Sequence, residues 1–139
     1  MSGKRTRSRQ LAVQAIYQWQ LAGQNIKDII QQFREDEAPN SFEDEYFSTL
    51  VRGVPTNLND LDEALGSCLD RSIGSVDPVE RAILRIGAYE LSHCPEVPYR
   101  VVINEGIELA KVFGAEDGHK YINGVLDKLA KKLRQIEVN

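Results

Sequence analysis

The chain has 139 residues and a mass of 15.7 kDa, with 42% hydrophobic and 27% charged side chains and a net charge of −4. That size predicts one domain, able to bury about 70% of the surface its unfolded chain exposes without help from a disulfide or a metal. The balance excludes disorder and collagen-like structure, no apolar run is long enough to span a bilayer, and the charged start MSGKRTRSRQ lacks the apolar stretch of a secretory signal, so a cytoplasmic location is expected.

Apolar residues recur at helical spacing through almost the whole chain, and alternating runs long enough for strands are absent, so the predicted fold class is all-α. A first helix runs from about Ser8, with Leu11, Ala15, Trp19 and Ala22 on one face, until Gly23 ends it. Ile26, Ile29, Ile30 and Phe33 trace a second, stopped by Pro39. Ser41 reads as the N-cap of a third helix, with Asp44 three residues on; its stripe Phe47, Leu50, Val51 and Val54 runs up to Pro55. Asn57 caps a fourth segment lined by Leu58, Leu61, Leu65 and Cys68, which loses its pattern near Gly74. The strongest start signal follows: Asp77 as N-cap, Pro78 at the first helical position, and Glu80 placed to bond back toward the cap. This fifth helix buries Val79, Ile83, Ile86 and Tyr89. Pro95 and Pro98 make CPEVPY a turn. Val102, Gly106, Leu109 and Phe113 mark a sixth helix, ended by Gly114 at a position that favours a left-handed residue, and Ile122, Val125, Leu126, Leu129 and Leu133 a seventh. About seven helices with short connections predict a compact bundle of two small helical subdomains, about 10–74 and about 75–135, meeting near residues 70–77.

Charge is spread unevenly. Residues 1–9 hold Lys4, Arg5, Arg7 and Arg9 and no acid, so without them the remainder would carry −8. From Asp28 to Glu63 ten acids face only Arg34 and Arg52, and from Lys120 onward five basic residues face Asp127 and Glu137. The asymmetry points to local anion binding on an acidic body, or to a short basic tail that only confers solubility.

Catalytic chemistry has little to stand on. The chain contains no GxxxxGK[ST], GxGxxG, HExxH or GxSxG motif. Cys68 and Cys94 have no metal-ligand spacing, and a set of Cys68, His93, Cys94 and His119 would require adjacent residues to converge on one ion. The carboxylates Glu43, Asp44 and Glu45 fall beside a helix start, where they suit the helix dipole. No catalytic residue, metal or cofactor is therefore expected, and binding is the expected class of function.

Two places have the chemistry for nucleic acid. In KRTRSR, Arg5 and Arg9 share a face if the segment is helical, and Arg5, Arg7 and Arg9 share one if it is extended; Thr6 and Ser8 add hydroxyl donors for a phosphate backbone. In GAEDGHKYINGV, residues 114–125, Lys120 and Tyr121 lie at a helix start. Amides there accept phosphate oxygens, and an exposed Tyr121 could stack on a base while Asp117 accepts from a base edge. The pattern equally allows Asp117 as a helix cap and Tyr121 as core.

The stretch PYRVVINEGIELAKVFGAEDGHKYINGVLDKLA, residues 98–130, with VERAILRIGAYEL, AVQAIYQWQLAG and the arginine-rich start, resembles the NusB family of bacterial transcription antitermination factors over nearly the whole chain. The resemblance implies an all-helical protein of two small bundles with a flexible basic arm, residues 1–9. It implies binding to the single-stranded boxA element of ribosomal RNA leader transcripts, jointly with the small-subunit ribosomal protein that acts as NusE, within a complex of other Nus factors and RNA polymerase. No catalysis is implied. Carried over by position, the RNA-binding residues are Arg5, Arg7 and Arg9 of the arm with Asp117, Lys120 and Tyr121, and the ribosomal-protein surface includes Tyr17 and Glu80. A similar domain precedes the catalytic region of some ribosomal RNA cytosine methyltransferases, but no Rossmann-like half or catalytic cysteine motif follows here, so that activity is not expected. Two departures stand out: Thr6 and Ser8 interrupt the arginines, and Gly106 occupies a helix interior at a cost of up to about 1 kcal/mol unless close packing requires it.

Overall fold

The structure is a computed structural model and describes residues 3–138. These form α1 (Gly3–Ala22), α2 (Ile26–Asp36), α3 (Asp44–Thr56), α4 (Leu58–Gly66), a 3-10 turn (Ile73–Ser75), α5 (Pro78–His93), α6 (Tyr99–Phe113), α7 (Gly118–Leu133) and α8 (Gln135–Val138), with no strand among the described residues. None of the helices is long and apolar enough to cross a membrane. The all-α expectation holds, and the seven expected helices appear in order with one short C-terminal turn added.

Two helices organise the packing. α1 lies against α2, α3, α5 and α6, and α5 lies against α1, α3, α4, α6 and α7. The apolar core is continuous, from Leu11 and Ile16 through Phe47 and Leu50 to Ile83, Ile86, Leu126 and Leu129. It runs past residues 70–77, which hold the 3-10 turn and the buried Val76.

The basic start is not a separate arm. Residues 3–9 are the first two turns of α1, and Met1 and Ser2 lie outside the described residues. Helix continues here because no Gly or Pro breaks the run from Lys4, and because Ser8 and Arg9 are themselves buried, 0% and 3% exposed. At its far end α1 stops as expected at Gly23, whose φ of +65° suits glycine.

Several caps differ from expectation. Ser41 does not cap α3; its hydroxyl donates to the Ala38 carbonyl (2.6 Å), and Ser8 of α1 instead grips Glu43 at the α3 start, donating to its carbonyl and accepting from its amide, both at 2.8 Å. Asn57 serves the end of α3 rather than the start of α4, its amide side chain donating to the Gly53 carbonyl (2.9 Å). Gly114 is extended, not left-handed, and the left-handed residue nearby is Asp117 (φ +68°). Asp77 caps α5 as expected, accepting from the amides of Val79 (3.0 Å) and Glu80 (3.2 Å). The other end of α5 is closed by a residue from beyond α7. Arg134 donates to the carbonyls of Leu91 (2.8 Å), Cys94 (3.0 Å) and Glu90 (3.2 Å), and to that of Val97 (3.0 Å) in the turn.

Gly106 is explained by packing. A Cβ there would meet Leu126 Cδ1 at 2.8 Å, and one on Gly87 would meet Leu126 Cδ2 at 2.8 Å, so the fully buried Leu126 is held between two glycines of α5 and α6. Gly106→Ala should therefore destabilise the protein by about 1–2 kcal/mol despite its better helix propensity. Gly124→Ala on the same α7 helix as Leu126, where nothing lies within 4 Å of the added carbon, should stabilise it by up to about 1 kcal/mol. Denaturant melts of the two variants check the opposite signs.

Candidate nucleic-acid interface

The three arginines of α1 have different fates. Arg9 is buried: its Nε and Nη2 donate to the Glu90 carboxylate at 2.8–3.1 Å and its Nη1 to Glu105 at 3.2 Å. The Tyr46 hydroxyl donates to the same Glu90 carboxylate. Burial works against the Arg9 charge, but the hydrogen bonds and charge of Glu90, with Glu105 behind, hold its pKa above the ordinary value. Burial also pushes the Tyr46 hydroxyl up, helped by the Glu90 charge. Arg9, expected as an RNA contact, is thus placed in the core, its guanidinium committed to two carboxylates at 3% exposure.

Arg5 and Arg7 remain on the surface, but neither is unpaired. Arg5 donates from Nε (3.2 Å) and Nη2 (2.9 Å) to Glu43, its guanidinium 4.1 Å from the Tyr46 ring centroid, and the bond to Glu43 raises its pKa. Arg7 donates to Glu37 from Nε (3.1 Å) and Nη2 (2.9 Å), and to Gln10 (3.1 Å). The hydroxyls expected to help with phosphates are also occupied. Thr6 donates to Glu105 (2.8 Å), and the buried Ser8 holds Glu43.

The second place lies at the start of α7, toward the other end of α6. Asp117 stands at the N-cap in its left-handed conformation without a side-chain cap bond, and pairs with Lys120 at 3.4 Å, both well exposed. Tyr121 is half-buried rather than exposed: the ring packs against the core, and its hydroxyl is buried without a hydrogen-bond partner. Burial pushes that hydroxyl's pKa up, and the Arg71 charge opposes the shift.

Arg71 is the residue the sequence did not single out. Its guanidinium lies 4.8 Å from the Tyr121 ring centroid and holds Asp70 through Nε (2.8 Å) and Nη2 (3.1 Å), leaving the side chain 46% exposed. No spacing rule links positions 71 and 121; only the packing of the turn after α4 onto α7 brings them together.

Glu80 belongs to this cluster too. Its carboxylate does not close a capping box; Oε2 lies against Gly118, 2.6 Å from where a Cβ would stand. Burial and the nearby Asp77 raise its pKa, and Arg71 opposes them. Tyr17, expected beside Glu80 on a protein-binding surface, is 38% exposed and lines an open apolar groove with Leu21, Phe33, Val79 and Phe113. The first turn of α5 therefore presents Val79 to the groove and Glu80 to the Tyr121 cluster.

The described residues form an all-helical bundle that presents an apolar groove and, apart from it, the surface arginines Arg5, Arg7 and Arg71, the features of a binding surface. The chain belongs to the NusB family, whose model matches residues 6–131. It is 55% identical to the transcription antitermination protein NusB of Pseudomonas fluorescens (strain Pf-5) over 99% of this chain and 82% of that one. The corresponding protein of Nitrosococcus oceani is also 55% identical, with 99% and 92% covered. Among solved structures, NusB of T. maritima superimposes with a TM-score of 0.84 at 29% identity, covering 99% of both chains. A structure of the antitermination factors NusB and NusE in complex with dsRNA gives 0.80 at 27%, covering 91% of this chain and 96% of that one.

Two substitutions separate core roles from surface ones. Arg9→Ala leaves Glu90 buried and uncompensated and should cost about 3–5 kcal/mol, lowering Tm by about 10–20 °C. Tyr121→Phe removes a buried hydroxyl that has no partner, and should leave stability unchanged or raise it by up to about 1 kcal/mol. Thermal melts read both.

Proposed function

We propose that this NusB-family protein acts as a transcription antitermination factor by binding the boxA element of ribosomal RNA leader transcripts jointly with the ribosomal protein that acts as NusE. It does so in the cytoplasm, as a binding protein without catalysis, within the assembly of other Nus factors on RNA polymerase. The observation that carries the RNA part is the exposed Arg71 over Tyr121 beside Lys120 and the open start of α7, a cation and an aromatic face where an unpaired base and its phosphate can both be met. The protein part rests on the groove lined by Tyr17, Leu21 and Val79, an apolar surface on an otherwise acidic body that suits a basic partner.

The internal pairing of Arg5 and Arg7 leaves little free positive field, so RNA affinity of the protein alone is weak and rises when the basic partner neutralises the acidic surface. Titration of labelled boxA and scrambled RNA, with and without the ribosomal protein and at two salt concentrations, tests this. Specific binding strengthened by the partner is expected; equal, weak binding to both RNAs in every condition refutes it. Within that assay Tyr121→Ala should cost about 1–3 kcal/mol of boxA affinity through lost stacking.

A further inference from the structure

Each surface arginine of α1 meets a carboxylate supplied by another element, and the carboxylates are held in place. Glu43 is fixed at the α3 start because Ser8 binds both its amide and its carbonyl, at 2.8 Å each. Arg5, facing it, is steadied from the other side by the Tyr46 ring at 4.1 Å, and Tyr46 is anchored to the buried Glu90. Glu37, at the C-cap of α2, is itself largely covered, its side chain 16% exposed, and takes Arg7 through two bonds. With Arg9 neutralised in the core by Glu90 and Glu105, the three arginines that read as a cluster of positive charge in sequence are each paired with an acid in space.

We propose that Glu37 and Glu43 are specificity-determining residues: built-in counter-anions that an RNA phosphate must displace from Arg7 and Arg5, so that polyanions without further contacts are rejected. The inference rests on the RNA-binding reading above. A phosphate that displaces Glu43 finds Arg5 already stacked on Tyr46, so the guanidinium needs no reordering, and only the carboxylate contact is exchanged. The exchange releases few bound cations, since each freed carboxylate takes one up, and this predicts a shallow salt dependence for the natural protein. A ligand with additional contacts elsewhere, such as at Arg71 and Tyr121, overcomes the competition; random single-stranded RNA does not.

The test is RNA binding by Glu37→Gln, Glu43→Gln and the double variant, each keeping a neutral hydrogen-bond acceptor for its arginine, against the Asp60→Asn/Glu63→Gln double variant. The latter removes two exposed acids that make no arginine pair. Affinity for scrambled single-stranded RNA should rise about two- to fivefold per substitution and about tenfold for the pair, with the salt slope steeper by about 0.7 for each arginine freed. The boxA-to-scrambled ratio should fall, while the Asp60/Glu63 control stays within about twofold of the natural protein. Thermal melts establish that the variants fold, and for any that does not, the single Glu43→Asp, which withdraws the carboxylate by one methylene, should give a smaller rise of the same sign. Unchanged or weaker RNA binding by folded variants, or an equal rise in the control, overturns the proposal. Absence of any boxA preference in the natural protein with its partner would instead refute the RNA-binding reading itself, whatever the variants do.

Discussion

The buried Arg9–Glu90 pair is the constraint on which the start of α1 depends. A guanidinium and a carboxylate at 3% and 2% exposure tolerate burial because they are paired and hydrogen-bonded: Glu90 receives Arg9 and the Tyr46 hydroxyl, and Arg9 reaches on to Glu105. That one junction ties α1 to α3, α5 and α6. It sets the rotation of α1, which places Ser8 against the α3 start and turns Arg5 and Arg7 outward toward Glu43 and Glu37. The surface chemistry of the N-terminal face is therefore a consequence of a polar contact in the core.

One residue further along α6, at Gly106, the organising contact is apolar. Leu126 of α7 lodges between Gly87 and Gly106, which lets α5, α6 and α7 approach closely and carries the start of α7 to the first turn of α5. Gly118 and Glu80 meet there, and Tyr121 with them. The groove beside Tyr17 and the cluster around Tyr121 share the first turn of α5, Val79 facing one and Glu80 the other. A protein bound in the groove and an RNA bound at α7 would thus press on adjacent residues of one helical turn.

Helical periodicity made the fold legible, since α3 to α7 each bury apolar residues at i, i+3 or i+4 spacing and Gly23, Pro39 and Pro78 punctuate the chain where expected. What periodicity could not give was pairing across long separations. The arginine run looks like a free basic arm because its compensating acids sit 30 to 96 positions away. Ser41 reads as a cap from its place before Asp44, whereas the clasp at the α3 start, Ser8, comes from another helix. Tyr121 and Lys120 could be named from the resemblance, but Arg71 could not be found from spacing, because its place over the ring depends on how the turn after α4 packs. Gly106 is costly by helix propensity alone, and only the neighbouring Leu126 shows why it is tolerated.

The 81-residue separation of Arg9 from Glu90 also bears on how the chain is made. At typical rates of synthesis, the charge of Arg9 is in existence for roughly 4–16 seconds before its carboxylate partner is added to the chain. Over that interval α1 cannot settle into its final packing, since doing so would enclose an unpaired guanidinium. The α1–α3 contact is thereby kept provisional while the ribosome works toward α5, and the arrival of Glu90 is the event that allows the helices to close on one another.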